Sequence, residues 1–213
     1  MANPAERLLY GMTVTSKCRY NASIRIRRLS QFSFYTTTIL SLGLILIPLL
    51  QNADIQLAYA PRVLNMLQIF LAVAVLVYSV INATARYETR SERLNECGDR
   101  IKELIRELRV SISQADVSGV PVDLTSFNQR YTDISTDSEN HTRADYCFAV
   151  IRTPDYYVVS GIPYVWEGLK SYFINCLPYL MPAGMIALEC IFILDMIGVT
   201  KILTEYLLPV TKP

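Results

Sequence analysis

The chain has 213 residues, 52% hydrophobic and 18% charged, with a net charge of +1 and a mean hydropathy of +0.27. That balance lies on the membrane side of ordinary globular usage and leaves room for only a modest water-facing part. Cys18, Cys97, Cys147, Cys176 and Cys190 are scattered without a C-x-x-C pair, and His141 is the only histidine. This argues against a structural zinc site and against a disulfide framework, and fits reduced thiols facing a cytosol.

Residues 1–31 are basic and expected to be helical. Lys17, Arg19, Arg25, Arg27 and Arg28 sit just before the first apolar run, and no acid lies between Glu6 and Asp54. With Tyr20, Ile24, Leu29 and Phe32 as an apolar stripe, this is either an amphipathic helix on the headgroups or a topology signal. Interleaved aromatics of a nucleic-acid patch are missing, so no direct nucleic-acid binding is expected. The leading polar stretch is too long for the n-region of a cleavable signal.

Residues 32–82 read as a transmembrane hairpin with spans at 32–50 and 63–82, both free of charged residues. A hydrocarbon core about 30 Å thick needs about 20 apolar residues per helix. The loop 51–62 carries one acid and one base, whereas Arg86, Arg90, Arg93, Arg100 and Lys102 follow the second span. The positive-inside rule then places both ends of the hairpin in the cytoplasm. Thr36, Thr37, Thr38, Ser41 and Gly43 lie in the first span, suited to close helix packing or to a narrow polar route.

Residues 83–116 are expected to continue the second span as a long cytoplasmic helix, unbroken before Gly119. Tyr87, Leu94, Cys97, Ile101, Leu104, Leu108 and Ala115 form a coiled-coil-like seam, interrupted at Arg90 and Ser111, opposite a face of alternating charge. The seam would pack on residues 125–153 or on a second copy. Region 117–170 adds short helices over Thr125–Thr136 and His141–Thr153, then an aromatic interfacial piece with Tyr156, Tyr157, Tyr164 and Trp166. Acids between 116 and 147 are expected to face the basic residues 14–28, with Asp133 or Asp137 against Arg25 or Arg27.

Segment 171–199 is a third apolar stretch, holding Pro178, Pro182, Glu189 and Asp195. It either spans once or re-enters at the prolines, and 200–213 is a tail. An ionisable residue inside a span costs about 2.5–3.5 kcal/mol on insertion scales unless it faces water or a bundle interior. Glu189 and Asp195 therefore either line an aqueous path or gate, together with Thr37 and Ser41, or sit near an interface. His141 alone supports no triad, and no phosphate-binding, nucleophile-elbow or zincin motif occurs. The expectation is an all-α membrane protein without catalytic, cofactor or metal residues: a transmembrane hairpin, a long cytoplasmic helical extension, a cytoplasmic helical region and a third C-terminal transmembrane or re-entrant segment.

Several short polar words lie on this hydropathy frame. They are Thr15-Ser16-Lys17-Cys18-Arg19-Tyr20-Asn21-Ala22, the bases Arg25 to Arg28, Leu29-Ser30-Gln31-Phe32-Ser33, Tyr131-Thr132-Asp133-Ile134 and Glu139-Asn140-His141-Thr142-Arg143-Ala144-Asp145-Tyr146. Over roughly residues 8–200 the combination resembles the SLATT superfamily of two-transmembrane effectors in prokaryotic conflict systems, in its reverse-transcriptase-associated branch. The resemblance implies an inner-membrane effector that oligomerises and opens a pore or otherwise breaches the bilayer. A sensor encoded nearby, such as a retron-type reverse transcriptase, would control it. Asn140, His141, Asp145 and Tyr146 would be a structural or triggering site. The alternatives are a non-conducting scaffold that recruits a soluble partner through residues 86–153, and a small transporter or intramembrane enzyme using Glu189.

Overall fold

The computed structural model describes residues 3–53, 55–151, 153 and 162–207. Tyr156, Tyr157 and the side chain of Tyr164, expected at an interface, lie outside what is described, as does the tail beyond Leu207. Among the described residues every element is a helix: α1 Pro4–Asn52, α2 Pro61–Ala85, α3 Tyr87–Ser118, α4 Leu124–Thr136, α5 Arg143–Ile151, α6 Ile162–Met196 and the short α7 Thr204–Leu207. The chain divides into a polar unit, residues 1–28 and 87–177, and an apolar unit, residues 29–86 and 178–213. Helices α1 and α6 each contribute to both.

In the polar unit the seam on α3 is the core. Ser91, Leu94, Cys97, Gly98, Ile101, Leu104, Ile105 and Leu108 are buried at three- and four-residue spacing, the spacing that lines one helix face. Met12 joins Cys97, Ile101, Leu104, Ile105 and Leu108 in one cluster, with Leu8, Leu9, Phe127, Tyr131 and Ile134 packed around it. The seam is thus covered from two sides, by α4 as expected and by the first turns of α1, which hydropathy did not single out. Each fully buried leucine or isoleucine there contributes about 1.5–3 kcal/mol.

Small residues let α1 and α3 approach closely. Ser23 Oγ donates to Ser91 O at 2.9 Å, and Ser91 Oγ returns a bond to Ser23 O at 3.1 Å. A Cβ on Gly98 would stand 3.0 Å from the Tyr20 ring. Where the sequence suggested an apolar stripe through Ile24 and Tyr20, the buried face is instead Met12, Val14, Cys18, Ala22 and Ile26, and Ile24 is exposed. Partner packing, not moment, selected that face.

Two boundaries differ from expectation. The basic N-terminal stretch and the first span form one helix, because nothing between them breaks it. The helix expected to run unbroken from the second span to Gly119 is interrupted at Arg86, a non-glycine residue with φ 46° and ψ 42°. No Gly, Asn or Pro marks that position. Beyond it, Gly119 with φ 71° closes α3, its amide bonded to Ala115 O at 2.8 Å, as left-handed helix caps do. Asp123 caps α4 by accepting from the amides of Thr125 and Ser126.

The apolar unit is built from the spans. From α1, Ser33, Thr36, Leu40, Gly43 and Ile47 point inward, and from α2 Leu64, Leu71 and Tyr78. Ile47, Tyr59, Leu64, Leu71, Phe192 and Met196 form its main apolar cluster. Most of the remaining helix surface is bare hydrocarbon. Only 17% of the most apolar stretch of α2 is covered by protein, and Met66, Ile69, Phe70, Val73, Leu76 and Val77 are exposed. Among the described residues three helices are long and apolar enough to cross a membrane, and lipid is the solvent that such surfaces require. The third segment is one continuous helix despite Pro178 and Pro182, so it does not fold back at the prolines.

Candidate functional site

The polar word early in α1 is a docking strip. Thr15 Oγ1 lies 2.6 Å from Tyr131 Oη, and Ser16 Oγ donates to Gly98 O at 3.1 Å. Lys17 Nζ donates to Thr153 Oγ1 at 2.7 Å, and Tyr20 Oη to Asp99 at 2.6 Å. Asn21 Nδ2 donates to Asp145 O at 3.1 Å. Arg19 is only 2% exposed. It donates to the carbonyl of Glu139 and, at 2.9 Å, to that of Ser135, tying the end of α4 to the loop after it. Cys18 is fully buried between these contacts, and burial pushes its thiol up to about 12, far from thiolate chemistry. Two turns of one helix therefore hold α3, α4 and α5 at once, each on a different side.

The second node is Asp145, whose side chain is 1% exposed. Its Oδ2 accepts from the amide of Thr142 at 3.0 Å and from Thr142 Oγ1 at 2.8 Å, while the Asp145 amide donates back to Thr142 Oγ1 at 3.4 Å. This is a capping box at the start of α5, with Asp in the place usually taken by Glu. Arg25 completes it with a forked contact, Nε to Oδ1 at 3.2 Å and an η-nitrogen to Oδ2 at 3.0 Å. The acidic region does meet the basic face of α1, but through this residue. Asp137 is bound instead by Arg100 at 2.7 Å and Glu139 by Arg90 at 2.9 Å, both from α3. His141 stacks on Tyr146 at 6.4 Å between ring centres. Burial and the nearby Arg19 charge hold its imidazole below the ordinary 6.5. His141, Asp145 and Tyr146 are thus brought together, while Asn140 is exposed.

Of the basic residues expected at headgroups, Lys17, Arg19 and Arg25 are engaged inside the polar unit; Arg27 and Arg28 are exposed. The correction has a simple cause. Acceptors supplied by residues 135–153 are near in space and far in sequence.

In the apolar unit Glu189 and Asp195 behave differently. Asp195, fully buried, ends α6. It accepts from the Thr200 hydroxyl, from the amides of Ile202 at 3.1 Å, Leu203 at 2.5 Å and Thr204 at 3.3 Å, and from Tyr59 Oη at 3.3 Å. Tyr59 also stacks on Phe192 at 4.9 Å. Asp195 is therefore a structural knot that folds the chain after α6 against the loop between the spans. It is not a free group on a water path.

Glu189 is 3% exposed, and neither carboxyl oxygen has a partner among the described residues. It lies on the backbone of Gly43, where a Cβ would overlap Oε1 and stand 2.5 Å from Cδ. Thr37, half-buried, bonds back to Ser33 O at 3.0 Å, and Ser41 is also half-buried. The inward hydroxyls are those of Thr36, bonded to Phe32 O at 2.9 Å, and Ser33, which accepts from Tyr78 Oη at 3.1 Å. Ser33, Tyr59 and Tyr78 were not anticipated. The spacing Ser33, Thr36, Leu40, Gly43 is the signal that marks the packed face. Among the described residues no group of three or more His, Cys, Asp or Glu stands together as a metal site would require.

Among the described residues, all-helical structure with three apolar helices of membrane length, a polar unit, and a buried carboxylate in the apolar unit define a helical membrane protein. The model of the SMODS and SLOG-associating 2TM effector domain family 5 matches residues 1–193, and the chain belongs to that SLATT family, whose domains are two-span effectors of conflict systems. The match runs into α6, so it takes in most of the third apolar helix. Comparison with curated proteins finds no match, and comparison with solved structures finds none.

Proposed function

We propose that the chain is the effector of a bacterial anti-phage defence system, and that it assembles into a homo-oligomer that opens a pore in the inner membrane. A sensor encoded nearby, a reverse transcriptase being one candidate, holds it silent or releases it. It acts without catalysis, with its N-terminus and the helical region 83–170 in the cytoplasm, an orientation that the bases flanking the hairpin support. The observation that carries the reading is Glu189: an acid buried without a partner inside a membrane bundle is expensive and marks a functional position. The bare apolar faces of α2 and α6 offer surface for lipid or for neighbouring copies. The α3 seam is already occupied by α1 and α4, so self-association runs through the apolar unit.

The scaffold reading is favoured by one feature, a groove of about 310 Å³ lined by Arg93, Glu96, Cys97, Arg100, Asp137 and Ser138. Expression of the chain alone and with its genomic neighbours, followed with a membrane-potential dye, separates the two. Depolarisation on triggering supports the pore. An unchanged potential under every triggering condition removes it and leaves the scaffold.

A further inference from the structure

We infer that Glu189 sets the charge selectivity of the pore, and that Gly43 is the slot that stores its carboxyl group while the bundle is closed; the inference rests on the pore reading above. The slot is a matter of shape. Glu189 approaches Gly43 more closely than any residue with a Cβ would allow, and the atoms that a Cβ would displace are the far end of the Glu189 side chain. Among the described residues nothing in the slot compensates the acid. Both oxygens lack a partner among the described residues. Residues 29–52 of α1 and 63–85 of α2 carry no Asp, Glu, Lys or Arg. Asp195, on the same helix, is saturated by donors of its own.

A carboxyl group held against Gly43 without a protein partner among the described residues meets water once the α1–α6 contact opens. A water-filled lumen lined by several copies would then present a ring of carboxylates, the arrangement that favours cations and repels anions. Neighbouring polar groups do not compete for this role, since the hydroxyls of Thr36 and Thr37 are turned back onto α1 carbonyls. The permeating species are therefore cations.

The test uses the full chain in planar bilayers under a potassium chloride gradient, with Glu189→Gln and Gly43→Ala. Wild type should give a reversal potential on the cation side. Glu189→Gln should still conduct, with its reversal potential moved toward zero. Gly43→Ala evicts the carboxyl group from its slot, and should raise the basal open fraction severalfold while keeping cation preference. The double variant should be leaky and unselective. Conduction with the same selectivity in wild type and Glu189→Gln overturns this inference and leaves the pore standing. A wild type that never conducts overturns both. A Gly43→Ala channel that inserts and stays as closed as wild type refutes the slot.

Discussion

Replacing Asp145 by Ala should unfasten α5 and leave the α3 core intact. The substitution removes two things. The first is the acceptor of the capping box, worth about 1 kcal/mol. The second is the partner of Arg25, whose side chain is 25% exposed against 1% for Asp145. Breaking a buried pair costs about 3–5 kcal/mol, and Arg25 lies near enough to water to recover part of that. A total of about 3–4 kcal/mol follows, or amide exchange on the order of 100- to 1,000-fold faster over Arg143–Ile151. Asp145→Asn keeps an oxygen for the Thr142 amide and loses the charge, so about half that energy is expected. A double-mutant cycle with Arg25→Met should give a coupling of about 1.5–3 kcal/mol, as hydrogen bonds to charged groups do. The assay is hydrogen exchange by mass spectrometry on the full chain in lipid nanodiscs, with Ile101–Leu108 as internal reference. Exchange over α5 within threefold of wild type in Asp145→Ala would refute the assignment of Asp145 as the fastening of that helix.

Acidification offers a second check. The folded state holds His141 below its ordinary 6.5, so the unfolded chain takes the proton first as pH falls. This contribution to stability is full above about pH 6.5 and declines below it, and His141→Gln should flatten the decline in urea titrations. In the α3 core, Leu104→Ala should lower stability by about 2–5 kcal/mol, whereas Val110→Ala, at an exposed site, should stay within about 0.5 kcal/mol. At the end of α6, Asp195→Ala should speed exchange at the Ile202, Leu203 and Thr204 amides, which lose their acceptor. Tyr59→Phe should do so weakly, by about 1 kcal/mol at most; equal protection in Asp195→Ala and wild type would show that the knot is dispensable.

What the sequence by itself determined is the set of properties that depend on neighbours along the chain. Uncharged runs of membrane length, the three- and four-residue spacing of Leu94 through Leu108, and Gly119 as a helix stop are all local, and each is found where expected. Glu189 was visible as an anomaly because an acid among apolar residues is anomalous in any fold. What only the tertiary structure decided is which partner each polar group met. Arg19 and Arg25 read as headgroup ligands until carbonyls and a carboxylate more than a hundred residues away claimed them. Asp195 and Glu189 lie six positions apart on one helix, and from the sequence Asp195 was the more interfacial of the two. Tyr59 and the chain after α6 satisfy Asp195, while Gly43 gives Glu189 only room. Hydropathy fixes how much surface must leave water. The satisfaction of a buried donor or acceptor depends on angles and distances across the fold, which no local pattern encodes.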